Sequence, residues 1–166
     1  MSVQTIITIL EKLEKMHRSL LEHAYRKTEL VKKGDMEELD QVLKIEQSHV
    51  AAIETLEQQR QQVVTEYLRA KGIAPAGTAT VADVIEATEN EEQRIELKAR
   101  RNSLISVVEE LKKQNELNQK LVYQSLQFVN MTMETLRPSP EQINYSGKEV
   151  RGQNAIAKKG YFDSQA

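Results

Sequence analysis

Apolar residues recur over the first thirty positions in steps of three and four, the spacing of one helix face. Val3, Ile6, Leu10 and Leu13 lead into Leu20, Ala24 and Val31, and a second lane at Ile9, Leu13, Met16 and Leu20 widens the stripe. Glu11–Lys15, Glu14–Arg18, Glu22–Arg26 and Glu29–Lys33 fall outside it. Each places the acid one turn before the base, an order worth about 0.2–0.5 kcal/mol per pair. The pattern predicts a helix over 3–32. Gly34 ends it, because glycine enters the left-handed region without a Cβ penalty. Asp35, with Glu38 three residues on, starts the next helix with the spacing of a capping box. So short a connection sends the second helix, 36–70, back alongside the first. Its expected core face is Leu39, Val42, Leu43, Val50, Ile53, Leu56, Val63, Tyr67 and Leu68, while Gln58, Gln59, Gln61 and Gln62 read as solvated surface.

Lys71 to Gly77 carries Gly, Ala and Pro and reads as a loop. Thr80 then caps a short helix, 81–87, with Asp83 at the box position, placed as a lid across the end of the bundle. The third long run covers 89–136 and stops at Arg137-Pro138-Ser139-Pro140. Ile95, Leu97, Leu104, Val108 and Leu111 form its narrow seam, with Glu96–Arg100, Glu109–Lys113 and Glu116–Lys120 on the outside. Such a helix rises roughly 70 Å, against ~45–50 Å for its partners, so one end projects or the rod bends near Asn115–Asn118. The fold class is all-α: an antiparallel helical hairpin, a short helix and a third long helix, as a three-helix bundle or coiled coil over 1–136. Residues 137–166 have the Pro, Ser, Gly, Asn and Gln content of a disordered tail. Within that tail, Ile143 to Lys148 and Gly160 to Asp163 are two small islands that either fold on a partner or are chance aromatics.

The most informative stretch is 121–136, LVYQSLQFVNMTMETL. Nine of its sixteen residues are apolar and only Glu134 is charged. Seven of the nine fill an arc of about 160° on a helical wheel, with Tyr123 and Met131 outside it. A helix packed on one neighbour needs a stripe of roughly 100°. The excess has three readings: a docking surface for a partner's helix, a self-association seam, or better-buried core. Methionine and a single Phe suit a surface that adapts to a partner.

Composition narrows the function further. The chain has 166 residues, 25 acidic and 23 basic, for a net charge of −2. That length fits about one domain, and the balance argues against nucleic acid, which draws a basic excess. No apolar run reaches about 18 residues, so membrane insertion is not expected. The N-terminus lacks a signal-peptide pattern, which predicts a chain that stays where it is made. With no cysteine, disulfides, thiolate catalysis and zinc–thiolate sites are excluded.

Two Glu-x-x-His motifs, Glu14–His17 and Glu46–His49, sit at similar heights in the hairpin. Di-iron carboxylate bundles use two such motifs plus a Glu from each of two further helices. Only one further long helix exists here, so a ferritin-like di-metal protein is the alternative reading, and no metal or other cofactor is assigned. The preferred reading makes His17, Glu46, His49, Asn115 and Asn118 a polar layer that sets helix register. No nucleophile is placed for catalysis and the glycines form no phosphate loop, so the chain is not expected to be an enzyme.

Lys33-Gly34-Asp35-Met36-Glu37-Glu38-Leu39 at the hairpin is followed by Glu46, Ile53, Leu56-Glu57 and Arg60 on the second helix. Asn118, Leu121, Ser125-Leu126 and Phe128 follow on the third, and Tyr145-Ser146-Gly147 in the tail. In this order the features resemble the FlgN family of flagellar type III export chaperones over roughly 3–136, with a looser match in the tail. The resemblance implies a cytoplasmic chaperone that binds hook–filament junction proteins, keeps them unpolymerised and delivers them to the cytoplasmic domain of the export gate. It also implies that the C-terminal helix binds client, here through Val122, Leu126, Phe128, Val129, Met133 and Leu136. A family tyrosine associated with gate docking corresponds to Tyr145, with Tyr161 as the alternative.

Overall fold

Ser2 and Asp35 each stand before a helix and accept a hydrogen bond from the amide three residues on, Thr5 and Glu38. These caps satisfy donors that a helix start leaves orphaned. The computed structural model describes residues 2–136, and within them the chain forms four helices. They are α1 (Val3–Lys33), α2 (Met36–Ala70), α3 (Val81–Ala87) and α4 (Glu91–Leu136). Gly34 closes α1 at φ 73°, and its amide reaches back to Val31 at 3.2 Å. Thr80 and Asp83 complete a reciprocal capping box at α3. The long third run begins at Glu91 rather than 89 because Asn90 caps it, its side chain accepting from the Gln93 amide at 3.1 Å.

The described residues fall into two compact units, the first ending at Gln124 and the second starting at Ser125, within α4. In the first unit α2 runs antiparallel to α1: Ser19 meets His49, and Lys27 meets Glu46. α4 runs parallel to α1, since Glu11 pairs with Arg100, Ser103 with Glu14, Tyr25 with Glu110, and Thr28 with Asn118. The apolar core lies at the end where α1 starts. There Ile6, Leu10 and Leu13 of α1 meet Val64 and Leu68 of α2, Val84 and Ile85 of α3, and Leu97 of α4. α3 is therefore part of this core, with Val84 fully buried.

Several expected core positions are outside it. Leu43 and Val50 are 43% and 46% exposed, because Val42 and Val63 take the inward face of α2. On α4, Ile95 is 59% exposed and Val108 40%, whereas Leu97 is sealed. Ile7, Leu21, Leu30 and Val64, which the spacing did not single out, are buried. Charge pairing also departs from the expected pattern. Glu14–Arg18 forms at 2.7 Å, but Glu11 turns to Arg100, Arg26 to Glu38, and Glu29 to Lys32. For Glu11 and Arg26 a neighbouring helix offers a partner that the helix's own next turn cannot outcompete, since exposed pairs within a helix are worth only tenths of a kcal/mol; Glu29 stays within α1 and takes the cation three residues on instead of four.

Candidate functional site

α4 continues as a helix to Leu136, and from Val122 on its large side chains are open to solvent. Val122 is 42% exposed, Leu126 57%, Phe128 71%, Val129 53%, Met133 54% and Leu136 75%. Tyr123 and Met131, off the main arc, are exposed as well. The two threonines of the stretch hydrogen-bond to their own helix: Thr132 to the Phe128 carbonyl at 2.9 Å and Thr135 to the Met131 carbonyl at 2.7 Å. Their hydroxyls are thus occupied internally. The surface offered is a helix with an apolar face more than two turns long and one carboxylate, Glu134. Soluble chains rarely leave so much contiguous apolar surface without an interaction to use it.

The polar residues singled out in the sequence form two separate groups. In the first, His17 Nδ1 donates to the Leu13 carbonyl at 2.7 Å and His49 Nδ1 to the Ile45 carbonyl at 2.9 Å. His49 Nε2 lies 2.8 Å from Ser19 Oγ, and the His23 and His49 rings meet edge-on, 5.3 Å between centroids. Glu46 pairs with Lys27 at 2.7 Å, both side chains nearly enclosed. Glu14 points the other way, toward α4, where Arg18 and the Ser103 hydroxyl donate to it. The two Glu-x-x-His motifs therefore do not converge. Among the described residues no group of three or more His, Asp or Glu side chains is placed to hold a metal ion.

The second group joins α1 to α4. Asn118 is buried, its Nδ2 donating to the Ala24 carbonyl at 2.8 Å and its Oδ1 accepting from Thr28. Gln114 Nε2 donates to Thr28 Oγ1 at 2.6 Å. Asn115, one residue from Gln114, has its Oδ1 enclosed with no hydrogen-bond partner among the described residues. Thr28 and Gln114 belong to this group although the sequence reading did not name them. Thr28 sits four residues after Ala24 on the apolar stripe, which was the available signal. Tyr145 lies outside the described residues.

Glu14 gives this seam a pH dependence. Burial pushes its carboxyl upward, but the hydrogen bonds from Arg18 and Ser103, with the charges of Arg18 and Arg100, outweigh that and hold it below the usual 4.5. A group with a lowered folded pKa contributes stability that is present above its unfolded value and lost as pH falls through the folded one. Glu14→Gln is therefore expected to flatten the acid limb of a melting-temperature profile below about pH 4.5. An unchanged limb would show that the carboxylate contributes nothing there.

No described helix is long and apolar enough to cross a membrane. No solved structure matches the chain. An uncharacterized protein of Bacillus subtilis (strain 168), YvyG, is 32% identical over 167 residues, covering the whole of both chains. The family model described as FlgN protein matches residues 1–150. An all-helical chain with an exposed apolar helix end, matched over this span, belongs to the FlgN family, whose members are flagellar export chaperones.

Proposed function

We propose that this chaperone binds hook–filament junction proteins in the cytoplasm, keeps them from assembling early and hands them to the export gate. The observation that carries the reading is the exposed apolar run from Val122 to Leu136. Filament-forming proteins carry terminal segments that are disordered alone and helical in the polymer. An amphipathic helix can pair with such a segment and hide its apolar stripe from sister molecules. Burying roughly 500–1,000 Å² of apolar surface gives on the order of 12–25 kcal/mol gross at ~25 cal/mol/Å². Ordering the segment and losing rigid-body freedom offset most of it, which leaves the reversible affinity that delivery requires.

Val122, Leu126, Phe128, Val129, Met133 and Leu136 are the client contacts in this reading, and Tyr145 is the gate contact. Phe128, at 71% against 63% for Tyr123, is the more exposed of the two rings in the run and lies on its main arc, which makes it the best candidate for an anchor. Phe128→Ala is expected to weaken client binding about tenfold, roughly 1.4 kcal/mol, without changing helicity. Titration calorimetry against a purified junction protein measures it, and unchanged affinity removes Phe128 from the site.

A further inference from the structure

Sulfur in this chain is confined to methionine, since there are five Met and no cysteine. Among the described residues Met131, Met36 and Met133 are 68%, 61% and 54% exposed, while Met16 is partly buried in α1. Met133 differs from the other two exposed methionines in its neighbours. Val122, Leu126, Val129, Met133 and Leu136 follow one another at steps of four, three, four and three, the spacing of a coiled-coil seam. Met131 stands two residues earlier, about 200° around the helix and off that seam. Met36 opens α2, in the first unit.

We propose that Met133 is a redox-controlled site, at which a peroxide converts the thioether to the sulfoxide and the oxidised chaperone loses affinity for its client. The inference rests on the chaperone reading above and adds regulation of the same helix face. In the chemical step the thioether sulfur attacks one oxygen of hydrogen peroxide and the O–O bond breaks. Sulfur is oxidised and the transferred oxygen stays on it as S=O. The proton of that oxygen leaves with the other oxygen as water, so peroxide is reduced. A methionine sulfoxide reductase supplied with a dithiol reverses the step, giving the thioether, a disulfide and water.

A thioether is apolar and flexible, and suits a seam that adapts to a partner. The sulfoxide brings a hydrogen-bond acceptor into that seam. Thr132 and Thr135 already donate their hydroxyls to the Phe128 and Met131 carbonyls. Covered by a client's apolar stripe, the new oxygen loses water and gains no donor from either threonine. An unsatisfied polar group of this kind corresponds to a loss of about tenfold in affinity.

The test treats the full-length protein alone with hydrogen peroxide, removes the peroxide and maps the oxidised sites by peptide mass spectrometry. Calorimetry then measures each purified hook–filament junction protein against treated and untreated chain. Oxidation is expected to weaken binding about tenfold with the circular dichroism unchanged, and methionine sulfoxide reductases with dithiothreitol are expected to restore it. Met133→Leu should bind equally before and after peroxide, whereas Met131→Leu and Met36→Leu should still weaken. Each variant is compared with itself, so any effect of leucine on the resting affinity drops out. Saturating client should slow the oxidation of Met133 and leave that of Met36 unchanged. Equal binding before and after complete oxidation of Met133 overturns the proposal and leaves the chaperone reading standing. So does a Met133→Leu chain that remains sensitive while Met131→Leu or Met36→Leu becomes resistant. Failure of the untreated chain to bind any junction protein overturns both.

Discussion

A chain ending at Gln119 is expected to lose client binding by a hundredfold or more while keeping most of its helix signal. The deletion removes every member of the exposed run from Val122 to Leu136, and the tail with it. It leaves α1, α2, α3 and the part of α4 that carries Leu97, Val107 and Asn118, all of them buried. The cost in stability should be small, because the deleted side chains beyond Val122 are exposed and contribute little packing. Circular dichroism and calorimetry on the same preparation separate the two effects. A truncated chain that still binds with native affinity places the client site elsewhere.

Leu97→Ala should have the largest effect on stability. Leu97 is sealed among Val64, Leu68, Val84 and Ile85, and it is the one α4 residue of the main core cluster that is fully buried. Truncating a fully buried leucine costs about 2–5 kcal/mol, the transfer term plus the cavity that remains. Against a total of about 5–15 kcal/mol for an ordinary domain, that is a large fraction. Denaturant titration should show a lower midpoint with a nearly unchanged slope. Ile95→Ala is the control: at 59% exposure it should stay within about 0.5 kcal/mol. Equal losses from the two variants would contradict the packing described for α4.

That pair of residues also shows how far the sequence could be read. Helix existence and ends were legible because their signals are local: Gly34 after the stripe, Asp35 with Glu38, Thr80 with Asp83. The long apolar face of α1 was legible because it is buried along its length, from Val3 to Leu30. α4 is different, since of its 46 residues it buries Leu97, Val107 and Asn118 alone. Ile95 and Leu97 are two residues apart, about 200° around a helix, so one core could not take both. Periodicity gave no means of choosing, because which of the two faces inward depends on where α3 and α2 stand. Leu43 against Val42 on α2 is the same problem one residue apart.

The exposed end of α4 was legible for the opposite reason. An arc of about 160° with one charge is too wide for a single neighbour whatever the tertiary arrangement, so the excess could be counted before any neighbour was known. The polar groups were less accessible. Asn118 was recognisable as a polar residue in a seam, but its partners, Thr28 and the Ala24 carbonyl, lie 90 and 94 residues away and follow no motif, and nor does Gln114, which bonds Thr28. The Glu-x-x-His repeats share a spacing, but their carboxylates do not share a site. Glu14 and Glu46 have nearer cations in Arg18 and Lys27, on faces turned away from each other.

The hydrogen bonds that Asn118 makes with Thr28 and the Ala24 carbonyl act as a pawl. If α4 slid along α1 by a single turn, about 5.4 Å, an amide and a hydroxyl would lose their mates inside a region closed to water. Intermediate positions would be penalised at once, so these bonds pin α4 to one register on α1, which sliding leucines alone would leave free to drift.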